Sequence, residues 1–295
     1  MKYNGKFCNI NDEYLRTTFH HSFVNGLKLP VYQMNCKDTT ENIKTNQKFV
    51  LMLTGNENHD NLDFHYSDDR VVSIIKNYPS IKNQSSEDGV QQYEIISDSG
   101  IPRIRIEDED PRTFNIPLGF CNGFVPYNFA NKKLHGGFVG QWTKNRELAV
   151  KAIDSYFQRN DQENPYTFAF YKGFGPNSQN NKENPSLMMD DYSFNLGGLE
   201  TSFCFTGQSP ETFRVVESAM SGCILIIDAL PDIWYYKNIP ALMVPYWADE
   251  VLIDLMRKIN GSDYKLFSGL SSEWYVRDIC PRSVGKKIFD HVSKF

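Results

Sequence analysis

Thr212, Arg214 and Glu217 place a hydroxyl, a cation and a carboxylate within six consecutive positions. Arg214 and Glu217 are three apart, so on a helix they share a face. A guanidinium in that position suits a phosphate, and a carboxylate one turn on can accept hydrogen bonds from sugar hydroxyls. Together they have the chemistry of a nucleotide-diphosphate site, with charge below and ribose above. The same spacing also describes an ordinary exposed ion pair worth a few tenths of a kcal/mol, and the spacing alone leaves both readings open.

The residues around these three predict the elements that position them. From Ser202 to Asp228 the sequence reads as strand, turn, helix, glycine stop and strand. Gly207 ends the first strand, Ser209 is a good N-cap, and Pro210 suits the first helical position. Glu211 favours the positive end of the helix dipole, and the helix is expected over Glu211 to Ser221. Gly222 stops it before the apolar run Cys223 to Ile227 re-enters the sheet. In an open parallel sheet ligands sit outside the carboxyl ends of the strands, so the first amides of this helix would face a crevice.

Further strands are expected at Phe49 to Thr54, Arg70 to Ile75, Gly137 to Gly140, Tyr166 to Tyr171, Leu199 to Thr206 and Leu242 to Pro245. Ile101 to Ile106 alternates apolar and basic residues and reads as a half-exposed strand. Helices are expected over Arg146 to about Phe157 and over Asp249 to Ile259, the latter with a clear apolar face. Lys82 to Asp88 and Gly175 to Pro185 read as polar surface loops. Alternating strands and helices argue for parallel βαβ units. A boundary falls near Val125 to Asn131, dividing an N-terminal domain (1–130) from a C-terminal domain (131–295) whose last helix can cross back.

At these residues the sequence resembles the donor-binding half of exostosin-type glycosyltransferases. The matching positions are Phe203-Cys204, Gly207, Thr212, Arg214, Glu217, Ala219, Gly222-Cys223 and Ile224 to Ile227. Phe138-Val139-Gly140 with Arg146 resembles the family's opening strand and arginine, and Pro245 to Ile259 its closing strand and helix. The likeness spans roughly residues 136–260. It departs where Leu225 follows Ile224 in place of the family's proline, and in the absence of the membrane anchor that animal members carry.

The resemblance implies α/β architecture with two Rossmann-like domains facing a central cleft (the GT-B arrangement). It also implies transfer with inversion and a nucleotide-sugar donor, a UDP-sugar favoured, held by the C-terminal domain. Such enzymes need little from a metal or other cofactor, because the helix dipole and basic side chains stabilise the departing diphosphate. On this basis Gly140, Lys144, Arg146, Tyr171, Lys172, Gly207, Ser209, Thr212, Arg214 and Glu217 are the candidate donor-binding residues. Tyr171 and the Lys172–Gly175 loop would flank the base, Glu217 would hold the ribose, and Glu217→Ala is expected to leave the fold intact. The acceptor would be an oligosaccharide or a glycoprotein glycan.

Inversion requires a general base, expected at a strand's carboxyl edge in the N-terminal domain. Glu57 fits best, with His59 next and Asp60 and the pair His20–His21 behind them. Asp108-Glu109-Asp110 has the Asp-x-Asp form of metal-dependent transferases but lies in a charged pre-proline segment and reads better as a solvated acidic turn. Asp190-Asp191 is a weaker signal of the same kind. Two alternatives share these features: a fucosyltransferase-like enzyme using a GDP-sugar, and a non-catalytic carbohydrate-binding or scaffold protein on the same fold.

Composition narrows the field further. The 295 residues are 40% hydrophobic and 14% aromatic, enough for a sizeable core, and the net charge of −5 carries no global footprint for nucleic acid. No apolar run approaches the ~20 residues of a membrane span, and the lysines near the N-terminus precede no apolar stretch, so neither a transmembrane segment nor a secretory signal is expected. The six cysteines have neither CxxC nor zinc-site spacing; Cys204 and Cys223 are expected as buried free thiols in a cytoplasmic protein. Glycine-rich dinucleotide or Walker loops, Gly-x-Ser-x-Gly and His-Glu-x-x-His are absent, which argues against dehydrogenase, NTPase, esterase and zincin chemistry.

Overall fold

Strands buried on both faces read as unbroken apolar runs, and the two purest such runs each sit in a parallel sheet. In the computed structural model, which describes residues 11–35, 39–54, 65–82, 84–96, 101–107, 109–129, 131–171, 189–207 and 209–295, the run at Phe49 forms β2 (Phe49–Thr54), buried along its length. It lies between β1 (Val31–Asn35) and β3 (Val71–Lys76), and β8 (Thr113–Asn115) completes a four-stranded sheet of order β1-β2-β3-β8. Every pairing is parallel, with Leu51 level with Tyr32 on one side and Ile74 on the other.

The chain divides into two compact units. The first comprises residues up to Ile81, Ile106–Asn122 and Val276–Phe295. Its helices α1 (Asp12–Val24) and α7 (Pro281–Val292) pack against each other from opposite ends of the sequence. Gly285 permits the approach: a Cβ there would lie 2.5 Å from the Thr18 carbonyl oxygen. The buried Tyr14 hydroxyl donates to the Ile279 carbonyl at 2.6 Å.

The second unit, Lys82–Arg105 with Gly123–Tyr275, holds a five-stranded parallel sheet. Its strands are β9 (Leu134–Gln141), β10 (Thr167–Tyr171), β11 (Leu199–Cys204), β12 (Ile224–Ile227) and β13 (Ala241–Met243), in the order β10-β9-β11-β12-β13. The connections carry α2 (Lys144–Arg159), α3 (Met189–Gly197), α4 (Phe213–Met220) and α5 (Asp249–Asn260), with α6 (Tyr264–Trp274) after them. Phe138, Phe203, Phe205, Ile153, Ile226 and Leu252 form the centre of its core. The strand order reverses between β9 and β11. At such a topological switch point the flanking loops diverge and leave a crevice at the carboxyl edge.

Three expectations change. Lys82 to Asp88 is not a plain loop: β4 (Ser85–Glu87) and β5 (Val90–Gln92) form a hairpin. Asp88 and Gly89 turn it with φ of 48° and 77°, as a two-residue primed turn requires. Ile101 to Ile106 is not a half-exposed strand. It shrinks to β7 (Arg103–Ile104), paired antiparallel with β6 (Ile95–Ile96), and Arg103 is buried with its guanidinium on the Tyr236 carbonyl at 3.1 Å. Finally, residues 82–105 belong to the second unit. Gln91 and Asn145 exchange hydrogen bonds at the start of α2, and the Ile104 amide bonds the Leu230 carbonyl at 2.8 Å. These long-range contacts carry no local signal, so a linear boundary near residue 130 differs from the interleaved units.

Candidate functional site

The carboxyl ends of β9 and β11 bring two arginines together at the switch point. Arg146 lies in the first turn of α2, whose N-cap Thr143 accepts the Arg146 amide on its side chain. From there the guanidinium reaches the Gln141 carbonyl at 2.8 Å and the Phe205 carbonyl at 3.4 Å. Arg214, in the first turn of α4, donates from Nη2 to the Val139 carbonyl. Phe138 lies beneath both guanidiniums, 5.1 Å from that of Arg146 and 4.3 Å from that of Arg214. Tyr192 of α3 offers Arg214 a second ring at 5.2 Å.

Two glycines make room for these cations. A Cβ on Gly140 would lie 2.6 Å from Arg214 Nη2, and one on Gly207 would lie 2.8 Å from Arg146 Nη2. Loss of water, and then repulsion from Arg214, pull the Arg146 pKa down to about 10, which still leaves it cationic at neutral pH. Arg214 is 6% exposed. Among the described residues neither arginine forms an ion pair, and Arg214 Nη1 and Thr212 Oγ1 are buried without a hydrogen-bond partner. Two neighbouring cations drawn out of water, with only the charge of Asp228, not in ion-pair contact, to offset that of Arg146, beside orphaned donors, are an arrangement that an anion completes.

Asp228, at the end of β12, holds the neighbouring turn in place. Its carboxylate accepts the Thr206 amide, the Thr206 hydroxyl at 2.7 Å and the Ala229 amide at 3.0 Å. Burial pushes its pKa up against these bonds. Its only sequence signal is its place at the end of an apolar strand, on the edge where sites form. Tyr192, next to the Asp190-Asp191 pair, gave no signal of its own.

The segment around residue 210 is more enclosed than the sequence suggested. Helix α4 starts at Phe213, with Thr212 as N-cap making no side-chain cap bond; Ser209, Pro210 and Glu211 belong to the preceding turn. Ser209 accepts the Glu211 amide on its hydroxyl and the Gly207 amide on its carbonyl, which closes that turn. The Glu211 carboxylate takes the Tyr235 hydroxyl at 2.8 Å, so it acts in packing and not as a partner for the helix dipole. Glu217 is 2% exposed and accepts the Tyr192 hydroxyl at 2.6 Å. The expectation that Glu217→Ala spares the fold is thereby corrected: the change strips a buried hydroxyl of its acceptor.

The remaining candidates that fall among the described residues make other contacts. Lys144 sits in the first turn of α2 and pairs with Glu147 at 3.6 Å. Tyr171 ends β10, and its carbonyl accepts the Trp142 amide at 3.0 Å. Lys172, Glu57, His59 and Asp60 lie outside the described residues. His20 and His21 are on α1, not at a strand edge. Asp110 is engaged by Arg112 through its amide and guanidinium, which holds its carboxyl below the usual range. Its neighbour Glu109 pairs with the buried Lys76 at 2.5 Å. Asp108 lies outside the described residues. Among the described residues no group of His, Cys, Asp and Glu side chains could hold a metal ion, and no helix is long and apolar enough to cross a membrane. Cys204 and Cys223 are buried and free, and loss of water pushes their thiols up to about 12 and about 11.

No protein-family model and no curated relative matches the sequence. Solved structures do match the fold. The pneumococcal O-GlcNAc transferase GtfA, in complex with UDP and GlcNAc, superposes with a TM-score of 0.50 at 14% identity, over 95% of this chain and 60% of that one. The GtfA/B complex gives 0.49 at 10% identity, over 87% and 59%. The chain thus spans about three fifths of the length of these structures. The fold is the α/β type with parallel sheets found in GT-B glycosyltransferases.

Proposed function

We propose that this chain is a glycosyltransferase that binds a nucleotide-sugar, a UDP-sugar favoured, and moves its sugar to a hydroxyl of an oligosaccharide or glycoprotein glycan. One observation carries the reading. Among the described residues Arg146 and Arg214 share the switch-point edge with no carboxylate in ion-pair contact, and Arg214 Nη1 and Thr212 Oγ1 lack a hydrogen-bond partner. A diphosphate supplies two negative charges and the acceptor oxygens those donors lack. As the bond to the sugar breaks, charge grows on that diphosphate, and fixed guanidiniums stabilise it without a metal ion.

Around that anion the other residues take supporting roles. Phe138 and Tyr192 fix the guanidiniums from their ring faces, and Gly140 and Gly207 leave them space. Glu217 remains the ribose acceptor in this reading, its carboxylate aimed by Tyr192. Glu57 or His59 takes the acceptor proton. The likeness to exostosin-type enzymes adds inversion and metal independence, and a cytoplasmic setting follows from the cysteine usage. A fold match to an O-GlcNAc transferase seen with UDP supports the class of reaction and the choice of nucleotide.

Thermal unfolding with UDP, GDP and their sugars tests the reading. A rise in Tm with UDP, lost in Arg214→Ala, is the expected outcome. A response to GDP alone turns the assignment to a GDP-sugar enzyme, and no response to any nucleotide leaves a carbohydrate-binding protein. Product anomeric configuration tests inversion. Turnover abolished by EDTA overturns metal independence.

A further inference from the structure

At the opposite end of the second sheet the strands begin, and there the chain builds a second recess. It has a volume of about 430 Å³ and is lined by His135 of β9, Glu200 and Thr201 of β11, Pro165 and Tyr166 before β10, and Asn260 and Tyr264 near the ends of α5 and α6. Thr201 is level with Ile224, the first residue of β12, and with Gly136, two residues into the ladder that β9 and β11 begin at Leu134 and Leu199, so the recess marks the amino edge. It lies roughly 15–20 Å along the strands from the arginines of the carboxyl edge, at ~3.3 Å per residue. The anion site and this recess are therefore separate places on one unit.

We propose that this recess binds a neutral saccharide. Its chemistry excludes the ligand of the other edge. Among the described residues no lysine or arginine lines it; Glu200 pairs with the exposed His135 at 3.7 Å and meets Lys132 only through space, so no fixed cation inside the recess receives a phosphate. An organic cation is disfavoured too, because Lys132 already stands over the Tyr264 ring at 5.6 Å. What the lining offers is apolar ring surface on Tyr166, Tyr264 and Pro165, beside a carboxylate, an imidazole and an amide that take hydroxyls. A pyranose presents that combination: an apolar C–H face and a rim of donors and acceptors. The volume lies within the range of small-ligand sites.

The recess is built rather than incidental. A Cβ at Gly136 would meet the Thr201 carbonyl at 2.7 Å and the Tyr166 ring at 3.2 Å, so glycine lets the ring lie against β9. Tyr166 is braced edge-on by Phe157 and Phe203, and its hydroxyl reaches Met256 Sδ at 3.5 Å. Tyr264 is tied to Asn128 Oδ1 at 3.4 Å. Nearby, Tyr127, Phe129 and Phe194 form a cluster of rings with centroids 5.3–6.0 Å apart, and Phe194 is more than half exposed. In this reading the platform, linked to Tyr264 through Asn128, offers ring surface to further sugar units. An acceptor glycan held here by one end would be tethered to the unit that carries the anion site.

The test uses the full chain labelled with 3-fluorotyrosine and titrated with maltotetraose, cellotetraose and chitotriose, read by fluorine NMR. One or more of these should shift the Tyr166 and Tyr264 signals, assigned from the Tyr→Phe variants. Glu200→Gln, a near-isosteric change at a half-buried position, should weaken that saccharide at least fivefold, and Tyr264→Ala at least tenfold. Arg214→Ala, which disables the anion site, should leave saccharide binding unchanged, so failure here and failure of the transferase reading are distinguishable. A glycopeptide bearing the same saccharide separates a free sugar from a protein-borne glycan by its relative affinity. If none of the three saccharides moves either signal, or if Glu200→Gln binds as tightly as the parent, the assignment is overturned.

Discussion

Arg214→Ala removes a charged donor whose hydrogen bonds to an anion are worth about 1.5–3 kcal/mol, so UDP affinity should fall at least ~10-fold by calorimetry. Arg214→Lys should recover little, because an ammonium can neither stack flat on Phe138 nor reach the Val139 carbonyl and a phosphate at once. Glu217 behaves differently. Its replacement by alanine should cost about 1–3 kcal/mol of stability as well as donor binding, since the Tyr192 hydroxyl loses its acceptor. Glu217→Gln keeps an acceptor and should regain most of that stability in denaturant titration. His291 sets a pH dependence. It stacks on Phe114 at 4.9 Å with Nε2 against the Arg112 carbonyl, and burial lowers its pKa from 6.5. The unfolded chain then binds the proton more readily. Stability is therefore full above about pH 6.5 and is lost as pH falls toward the lowered value. His291→Phe should flatten the stability profile across that window.

Among the elements, glycines decide which pieces can approach. Gly140→Ala places a methyl group where the Arg214 guanidinium lies, so it should abolish the UDP-induced Tm rise while leaving β9 paired. Gly119 is a structural counterpart. Its φ is +74°, and an added Cβ would fall inside the Tyr14 ring, so Gly119→Ala should destabilise the first unit by about 2 kcal/mol or more in thermal unfolding. Most sheet strands were visible in the sequence, because parallel strands leave long apolar runs such as Phe49 to Leu53 and Cys223 to Ile227. The hairpin at Ser85 was not visible. Its strands are mostly polar and exposed or half-buried, and are paired by the Asp88–Gly89 turn, not by an apolar pattern.

For the molecule as a whole, the consequence of interleaving is that distant segments share one fate. Helix α7 is the partner of α1, and the turn just before it holds the Ile279 carbonyl that accepts the Tyr14 hydroxyl. Truncation after Cys280 should therefore strip hydrogen-exchange protection from α1 while β11 and β12 keep theirs. The GT-B type of fold was readable from strand–helix alternation and from the likeness around residue 210. The interleaving was not, since it rests on contacts such as Ile104 with Leu230 that lie far apart in the chain.

Local pattern thus specified most strands and the βαβ alternation, because periodicity and turn chemistry act over a few residues, while the resemblance around residue 210 singled out Arg146, Gly207, Thr212 and Arg214 as candidates. Whether those side chains meet, and whether they face water or the interior, depended on the strand order, which sets β9 beside β11 and turns both arginines onto Phe138. Burial of Glu217, the pinning role of Asp228 and the bracing by Tyr192 belong to the same level. Exposure and electrostatic environment are sums over neighbours from every part of the chain, and no window of sequence contains those neighbours.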